Sequence, residues 1–298
     1  MNIAITGGTG FIGSHLAGYY AGNGDEVFVI TRSGRRESKS GVTYISWQEA
    51  ENTPERLEGV QAIVNLAGES INQRWTRAAK ERILGSRLQA ADRVARLVEQ
   101  LREKPEVVVN ASGISIYGTS ETDTYDETSP PRVVDFLSGV VEKWEQAIDG
   151  IQSPRVIKLR VGIVLGRDGG AFPKMAIPYK LGVGGRVGSG RQWLSWIHIE
   201  DMVRMIDFCI RNPRIRGPVN ATAPNPVTYE EFGRTLGKIM RRPHYFPVPA
   251  ALLKLVFGEL SVLLLEGQKV IPRAVLEHGF DFRYPTIETA LRQLCGRG

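Results

Sequence analysis

The 298-residue sequence holds only two cysteines, Cys209 and Cys295. Two are too few for a disulfide framework, and their separation offers no metal-ligand spacing, so no metal is expected. Histidine is also scarce, with four in the chain, and His15, His244 and His278 stand at no spacing that suggests a site. No uncharged apolar run reaches the roughly 18 residues that a membrane span needs. The nearest candidate, 248–265, is broken by Lys254 and Glu259. There is no signal-peptide pattern, because Met-Asn-Ile-Ala-Ile-Thr passes directly into a strand and a glycine loop. A reducing, cytoplasmic setting and no membrane partner are therefore expected. The formal net charge is +6, but the arginines are scattered, and no basic stretch is interleaved with aromatics. That argues against a nucleic-acid partner. A modest positive balance suits a pocket that receives a phosphate-bearing small molecule.

What is present is enough for a full core, with 42% hydrophobic and 23% charged residues. Strand-like runs fall at Asn2–Thr6, Glu26–Thr31, Val42–Ser46, Ala62–Leu66, Val107–Ala111 and Val156–Arg160. Helical patterns lie between them at Phe11–Ala21, Thr76–Leu101 and Val134–Ile148. Short, continuous apolar strands alternating with helices predict an α/β fold, a Rossmann-type doubly wound parallel sheet. After Arg160 the rhythm changes. The stretch 162–190 has nine glycines and two prolines, which predicts loops around one short helix. Ile199–Arg211 reads as a helix and Pro218–Ala221 as a strand. Further helices are expected at Thr228–Met240, Ala250–Phe257, Leu260–Gly267 and Thr286–Leu294. Thr228 with Glu231 forms a capping box for the first of these. The expected division is a dinucleotide-binding unit over 1–165, rejoined by about 191–225, and a smaller, mostly helical lobe from 166–190 and 226–298. No internal repeat is present.

Gly7-Gly8-Thr9-Gly10-Phe11-Ile12-Gly13 follows the first strand and opens the first helix. Glycines permit a tight turn and close approach of a pyrophosphate, and the helix N-terminus presents free N–H groups to it. Gly7, Gly10, Phe11, Ile12 and Gly13 are thus candidate cofactor residues. An NAD site commonly ends its second strand on a carboxylate that bonds the ribose 2′-hydroxyl. This chain instead has Thr31-Arg32-Ser33, followed by Arg35 and Arg36. A guanidinium grips a 2′-phosphate that a carboxylate would repel. The expected cofactor is NADP(H), with NAD(H) as the alternative. Asn65-Leu66-Ala67-Gly68 ends the fourth strand with small residues that let the chain pass close to the cofactor ribose. Arg87 and Ala111 complete the cofactor set, and Arg74 and Arg87 are candidate anchors for a phosphate or carboxylate.

These segments, together with Ser112, Tyr117-Gly118 and Trp196-Ile-His-Ile-Glu-Asp201, resemble the extended short-chain dehydrogenase/reductase superfamily of NAD-dependent epimerase/dehydratase type. Arg74-Trp75, Ser86-Arg87, the 220–226 segment and the tail from Pro247 to Phe280 are similar to an atypical group, the epimerase family proteins. That group carries a C-terminal domain of unknown function. The resemblance spans nearly the whole chain and implies a Rossmann fold, a nicotinamide cofactor and a small polar substrate, often a nucleotide sugar. Its activity transfers less readily than its fold.

The superfamily uses a Ser to orient the substrate and a Tyr-x-x-x-Lys pair to exchange a proton with the substrate oxygen. A free tyrosine titrates near pH 10, so the lysine must lower it. By resemblance Ser112 is the orienting serine, with Ser115 as the fallback. The pair is missing: Phe136 or Leu137 stands for the tyrosine, and Val140 or Val141 for the lysine. Tyr117 is a candidate catalytic replacement. Glu69, just past the cofactor-side turn, is a candidate base if its pKa is raised. His198 is read as structural. A substrate is expected near Ser112, Arg160 and 188–195. Three readings follow: an NADP(H)-binding oxidoreductase or epimerase-like enzyme, a non-catalytic NADP(H)-binding regulator or scaffold, and a lyase or dehydratase using Glu69. A homodimer through the long helix at Thr76–Leu101 stands beside a monomer.

Overall fold

Alternation along each short apolar run decides which face of the sheet a side chain enters. Ile3, Ile5, Val27, Val29, Val107 and Val109 join one core, while Ala4, Ile30, Ile63 and Val108 join the other. Both faces are therefore buried, as a parallel sheet requires. The structure is a computed structural model that describes residues 1–33, 41–151 and 154–296. Its main sheet has seven strands: β1 (Asn2–Thr6), β2 (Glu26–Thr31), β3 (Val42–Ser46), β4 (Ala62–Asn65), β5 (Val107–Gly113), β6 (Arg155–Val161) and β7 (Gly217–Ala221). They run in the order β7-β6-β5-β4-β1-β2-β3, and every pairing is parallel. The winding direction reverses between β1 and β4, which opens a crevice at their C-terminal ends, the place where such sheets bind ligands.

Seven of the helices position the site: α1 (Phe11–Gly22), α2 (Trp47–Asn52), α3 (Arg77–Gln100), α4 (Phe136–Ile148), α5 (Phe172–Lys180), α6 (Ile199–Arg211) and α7 (Tyr229–Met240). Helices α1 and α6 cover one face through Leu16, Tyr20, Met202 and Ile206. Helices α2, α3 and α4 cover the other through Trp47, Val94, Leu97 and Trp144. A third core forms away from the sheet, where Phe172, Tyr179, Leu194, Trp196, Phe232 and Leu291 pack together. Fully burying one such side chain contributes about 1.5–3 kcal/mol.

The structure adds elements that periodicity does not announce. Helix α2 is only six residues long and starts on a Ser46–Glu49 capping box. Three two-stranded pairings form beside the main sheet. Thr124–Tyr125 pairs with Lys269–Val270, Trp193–Leu194 with Val227–Thr228, and Ile163–Leu165 with Trp196–His198. The expected helix over Leu260–Gly267 is a 3-10 turn, Gly258–Ser261, followed by one short turn, Val262–Leu265. It stops where Gly267 crosses the backbone of Trp193: a Cβ there would stand 2.0 Å from the Trp193 carbonyl oxygen. Ahead of that turn lies α8 (Ala250–Phe257), which buries only Leu253.

Candidate functional site

The glycine loop is built by contacts that admit no side chain. Gly7 has φ +67°, and a Cβ on it would lie 2.6 Å from the carbonyl of Leu66. A Cβ on Gly13 would lie 2.4 Å from Gly7 O, so the loop closes directly onto the start of α1. Gly10 is the N-cap and offers no side-chain cap, which leaves the first N–H groups of α1 available to an anion. Phe11 is seated by the glycine-rich segment behind β6. A Cβ on Gly166 or on Gly169 would come within 2.4 Å of its ring. Those glycines, read from sequence only as loop, are the socket that holds the first residue of α1.

The ends of β1, β4 and β5 are locked by a ladder of buried amides. Thr6 Oγ1 donates to Asn65 Oδ1 at 2.5 Å, Asn65 Nδ2 to Asn110 Oδ1 at 2.6 Å, and Asn110 Nδ2 to Ala111 O at 2.7 Å. This ladder fixes where Leu66, Ala67 and Gly68 leave the sheet. Arg32 and Ser33 are exposed just past β2, with Thr31 half-buried. Arg35 and Arg36 lie outside the described residues.

Two of the charged candidates have settled partners. Glu69 accepts from Gln73 Nε2 at 2.9 Å and from Arg82 Nε at 3.0 Å. The Gln73 hydrogen bond, then Arg82, then the more distant charge of Arg32 hold its carboxyl below the usual range. This corrects the expectation of a base with raised pKa, because Glu69 is an ion-paired carboxylate. Arg87 donates from Nη1 to the carbonyl oxygens of Glu69 and Ile83 at 3.0 and 2.9 Å, and lies 5.1 Å over the Trp144 ring. Burial lowers its pKa to about 10.

Beside this loop lies a cavity of about 370 Å³. Ile12, Arg87, Ala111 and Ser112 line its cofactor side, and Trp193, Leu194, Tyr229 and Leu263 its far side. Ser115 also reaches it, as do Ser195 and Gln268, whereas Gly188 is not part of the wall. Ser112 is buried, and its hydroxyl donates to Glu145 Oε1 at 2.6 Å. Arg160 grips both oxygens of Glu145, at 2.8 and 2.9 Å, and donates to the Tyr117 hydroxyl at 2.8 Å. Tyr117 in turn donates to Asn220 Oδ1 at 2.8 Å. Burial, the largest influence on Tyr117, raises its pKa against the opposing effect of Arg160, and its side chain is fully enclosed. Tyr117 is therefore not part of the cavity wall, and its hydroxyl is spent on holding β5, β6 and β7 in register. Arg160, expected near a substrate, is likewise committed to Glu145 and Tyr117. Glu145 is the residue that sequence reasoning missed. Arg160, near the C-terminal end of the strand Arg155–Val161 and beside the apolar Leu159 and Val161, was the signal that a carboxylate had to face it.

The residues expected to stand for the acid–base pair lie at the start of α4. Leu137, Val140 and Val141 line the cavity, and Leu137 and Val141 stand four residues apart on α4. Phe136 turns away and packs against Trp75, with ring centroids 5.3 Å apart. Most of the wall is thus apolar where a polar substrate was expected. His198 caps α6: its Nδ1 accepts from Glu200 N at 3.2 Å while Nε2 meets Gln293 Oε1 at 3.1 Å. Among the described residues no cluster of His, Cys, Asp and Glu has the makings of a metal site. No helix among them is long and apolar enough to cross a membrane.

Residues 3–221 match the model of the NAD dependent epimerase/dehydratase family, and residues 248–294 match a domain of unknown function. The epimerase family protein YfhF of Bacillus subtilis is 43% identical over 297 residues, which covers 99% of this chain and 98% of that protein. The human epimerase family protein SDR39U1, whose crystal structure is with NADPH, superposes with a TM-score of 0.92 at 36% identity, covering 99% of both chains. A nucleoside-diphosphate sugar epimerase from Corynebacterium glutamicum superposes at 0.79 with 28% identity, covering 99% of this chain and 58% of that one.

Proposed function

The chain belongs to the NAD dependent epimerase/dehydratase family, within the epimerase family proteins that end in this domain of unknown function, and from that premise we propose that it is an NADP(H)-dependent oxidoreductase or epimerase-like enzyme. Gly7, Gly10 and Gly13 with the start of α1 would hold the pyrophosphate, and Arg32 the 2′-phosphate. Leu66 to Gly68, Arg87 and Ala111 would border the ribose and nicotinamide. The fit rests on the closed approach of Gly13 to Gly7 and on the uncapped start of α1. The NADPH in the human relative's crystal structure supports this choice of cofactor.

The observation that carries the proposal is continuity. Ile12, at the phosphate end, and Trp193 and Leu263, at the far end, line one cavity. When bound, the nicotinamide supplies or accepts a hydride. Ser112 then presents oxygen lone pairs at the cavity wall while its proton stays on the Glu145 bond, so it orients a substrate hydroxyl. The apolar wall of Leu137, Val140, Val141, Leu194 and Leu263 receives the substrate's body. A carbonyl or alcohol compound with an apolar portion fits this wall better than a bare nucleotide sugar.

A second reading has one specific observation behind it. Leu137 and Val141 place hydrocarbon where the family's tyrosine and lysine exchange protons, which favours an NADP(H)-binding regulator without turnover. A fluorescence titration with NADPH and with NADH, followed by a screen of carbonyl compounds with consumption of NADPH monitored, separates the two. Tighter NADPH binding with turnover upholds the enzyme. Binding without turnover over apolar and polar carbonyl compounds alike supports the regulator, and failure to bind either cofactor removes both.

A further inference from the structure

Two long stretches of the chain contain no acidic residue, one between Asp168 and Glu200 and one between Glu231 and Glu259. The fold brings them side by side. Tyr245 N and Phe246 N donate to Gly184 O at 3.0 and 3.2 Å, Val248 N donates to Arg186 O at 2.7 Å, and Gly188 N returns a bond to Val248 O at 3.0 Å. Helix α8 begins two residues later. On this surface Leu255 is 83% exposed, Tyr245 79%, Leu181 72% and Val256 64%. With Ile177, Val183, Phe246, Leu252 and Phe257, it carries nine of the twelve large apolar side chains exposed among the described residues. Interspersed with them are Lys174, Lys180, Arg186, Arg241, Arg242 and Lys254, all exposed. None of the six takes part in an ion pair among the described residues, unlike the nearby Arg191 with Glu121 and Arg234 with Glu230.

An exposed apolar patch of this kind marks an interaction surface, and its charge selects the partner. A two-fold interface would set this patch against its own copy and bring the basic side chains together. A nucleic acid offers bases to stack on, but six of the nine apolar side chains are aliphatic. A surface that is anionic at its face and hydrocarbon beneath satisfies both the basic and the apolar side chains at once. We propose that α8 and the paired segments 181–188 and 241–249 rest on an anionic lipid bilayer, with Leu255, Val256, Phe257 and Phe246 entering the interface and the lysines and arginines facing the headgroups. The attachment is peripheral, lying on the bilayer without crossing it. It would leave the cofactor cleft, on the sheet's C-terminal edge, as the working part of a surface-bound molecule.

The test is co-sedimentation of the full chain with vesicles of phosphatidylcholine alone and of phosphatidylcholine mixed with phosphatidylglycerol. Binding to the anionic vesicles is expected to be stronger by on the order of tenfold or more, and to fall as salt is raised. The double variant Leu255→Glu, Val256→Glu is expected to lose that binding at an unchanged melting temperature, since both side chains are already exposed. No preference for anionic vesicles, or full binding by the double variant, overturns the proposal. A dimer in light scattering that the same variant dissolves assigns the face to a second copy instead. Binding to polyglutamate that survives the double variant assigns the basic residues to an acidic polypeptide, and either result also overturns it.

Discussion

The Ser112 hydroxyl and the Glu145 carboxylate share a 2.6 Å hydrogen bond that ties the end of β5 to the buried face of α4. Arg160 binds both oxygens of Glu145, so the two side chains form one buried ion pair. Removing the carboxylate would strand the Arg160 cation in the interior, so Glu145→Ala is expected to destabilise the protein by about 3–5 kcal/mol. Ser112→Ala removes one hydrogen bond to a charged acceptor that keeps its arginine, and is expected to cost only about 1.5–3 kcal/mol. Urea unfolding of both variants checks the order. Equal losses would mean that Arg160 finds water or another partner when Glu145 is gone.

Arg32 is the charged residue at the end of β2 among the described residues, where Thr31, Arg32 and Ser33 supply no carboxylate for a ribose hydroxyl. Arg32→Ala is expected to weaken NADPH binding by about tenfold or more, the loss of one charge-assisted contact to phosphate. NADH, which lacks the 2′-phosphate, is expected to bind nearly as before. Fluorescence titration of both nucleotides against both proteins measures the split, and equal losses would remove the 2′-phosphate from this position.

Phe11 and the glycines around it form one packing unit. A methyl group at Gly169 would meet the Phe11 ring at 2.4 Å, so Gly169→Ala overfills the socket at a cost of about 1–3 kcal/mol. Because Phe11 begins α1, its displacement is also expected to weaken NADPH binding. Adding Phe11→Leu to Gly169→Ala makes room again and is expected to recover part of both losses. A double-mutant cycle with no coupling would place the strain elsewhere.

The sheet was legible because its information is local. Asn2–Thr6, Glu26–Thr31 and Val42–Ser46 are short apolar runs closed by glycine or polar turns, and their boundaries in the structure are the same as those in the sequence. The glycine loop was legible for the same reason, with strand, turn and helix adjacent in the chain. What stayed hidden was set by distant partners. Glu69 looked free because Arg82, thirteen residues on, reaches it only after α3 has formed. Ser112 and Tyr117 both looked able to do chemistry, but their hydroxyls are engaged by Glu145 and Asn220, 33 and 103 residues away. Two-residue strands such as Thr124–Tyr125 have no periodicity to read. They exist because Lys269–Val270 passes alongside.

His198 gives the fold a pH dependence whose sign can be worked out. Its Nδ1 accepts the Glu200 N–H, and its ring lies 4.0 Å from that of Tyr284. Burial, the largest influence, holds its pKa below the ordinary value, against the opposing hydrogen bond that Nε2 donates to Gln293 Oε1. An unfolded histidine titrates near pH 6.5, so between there and the lower folded value the unfolded chain binds a proton that the folded chain refuses. The stability contributed by the neutral ring is therefore fully present above about pH 6.5 and is lost as pH falls through that window. Protonation would also place a hydrogen on the nitrogen that caps α6. Asparagine is a good N-cap that does not titrate. His198→Asn is accordingly expected to be less stable than the parent at about pH 7.5, because it leaves a smaller side chain in a packed site, yet to lose less stability on acidification to about pH 5. Urea midpoints of the two proteins across that range should converge. Parallel curves would mean that another group carries the acid-side loss.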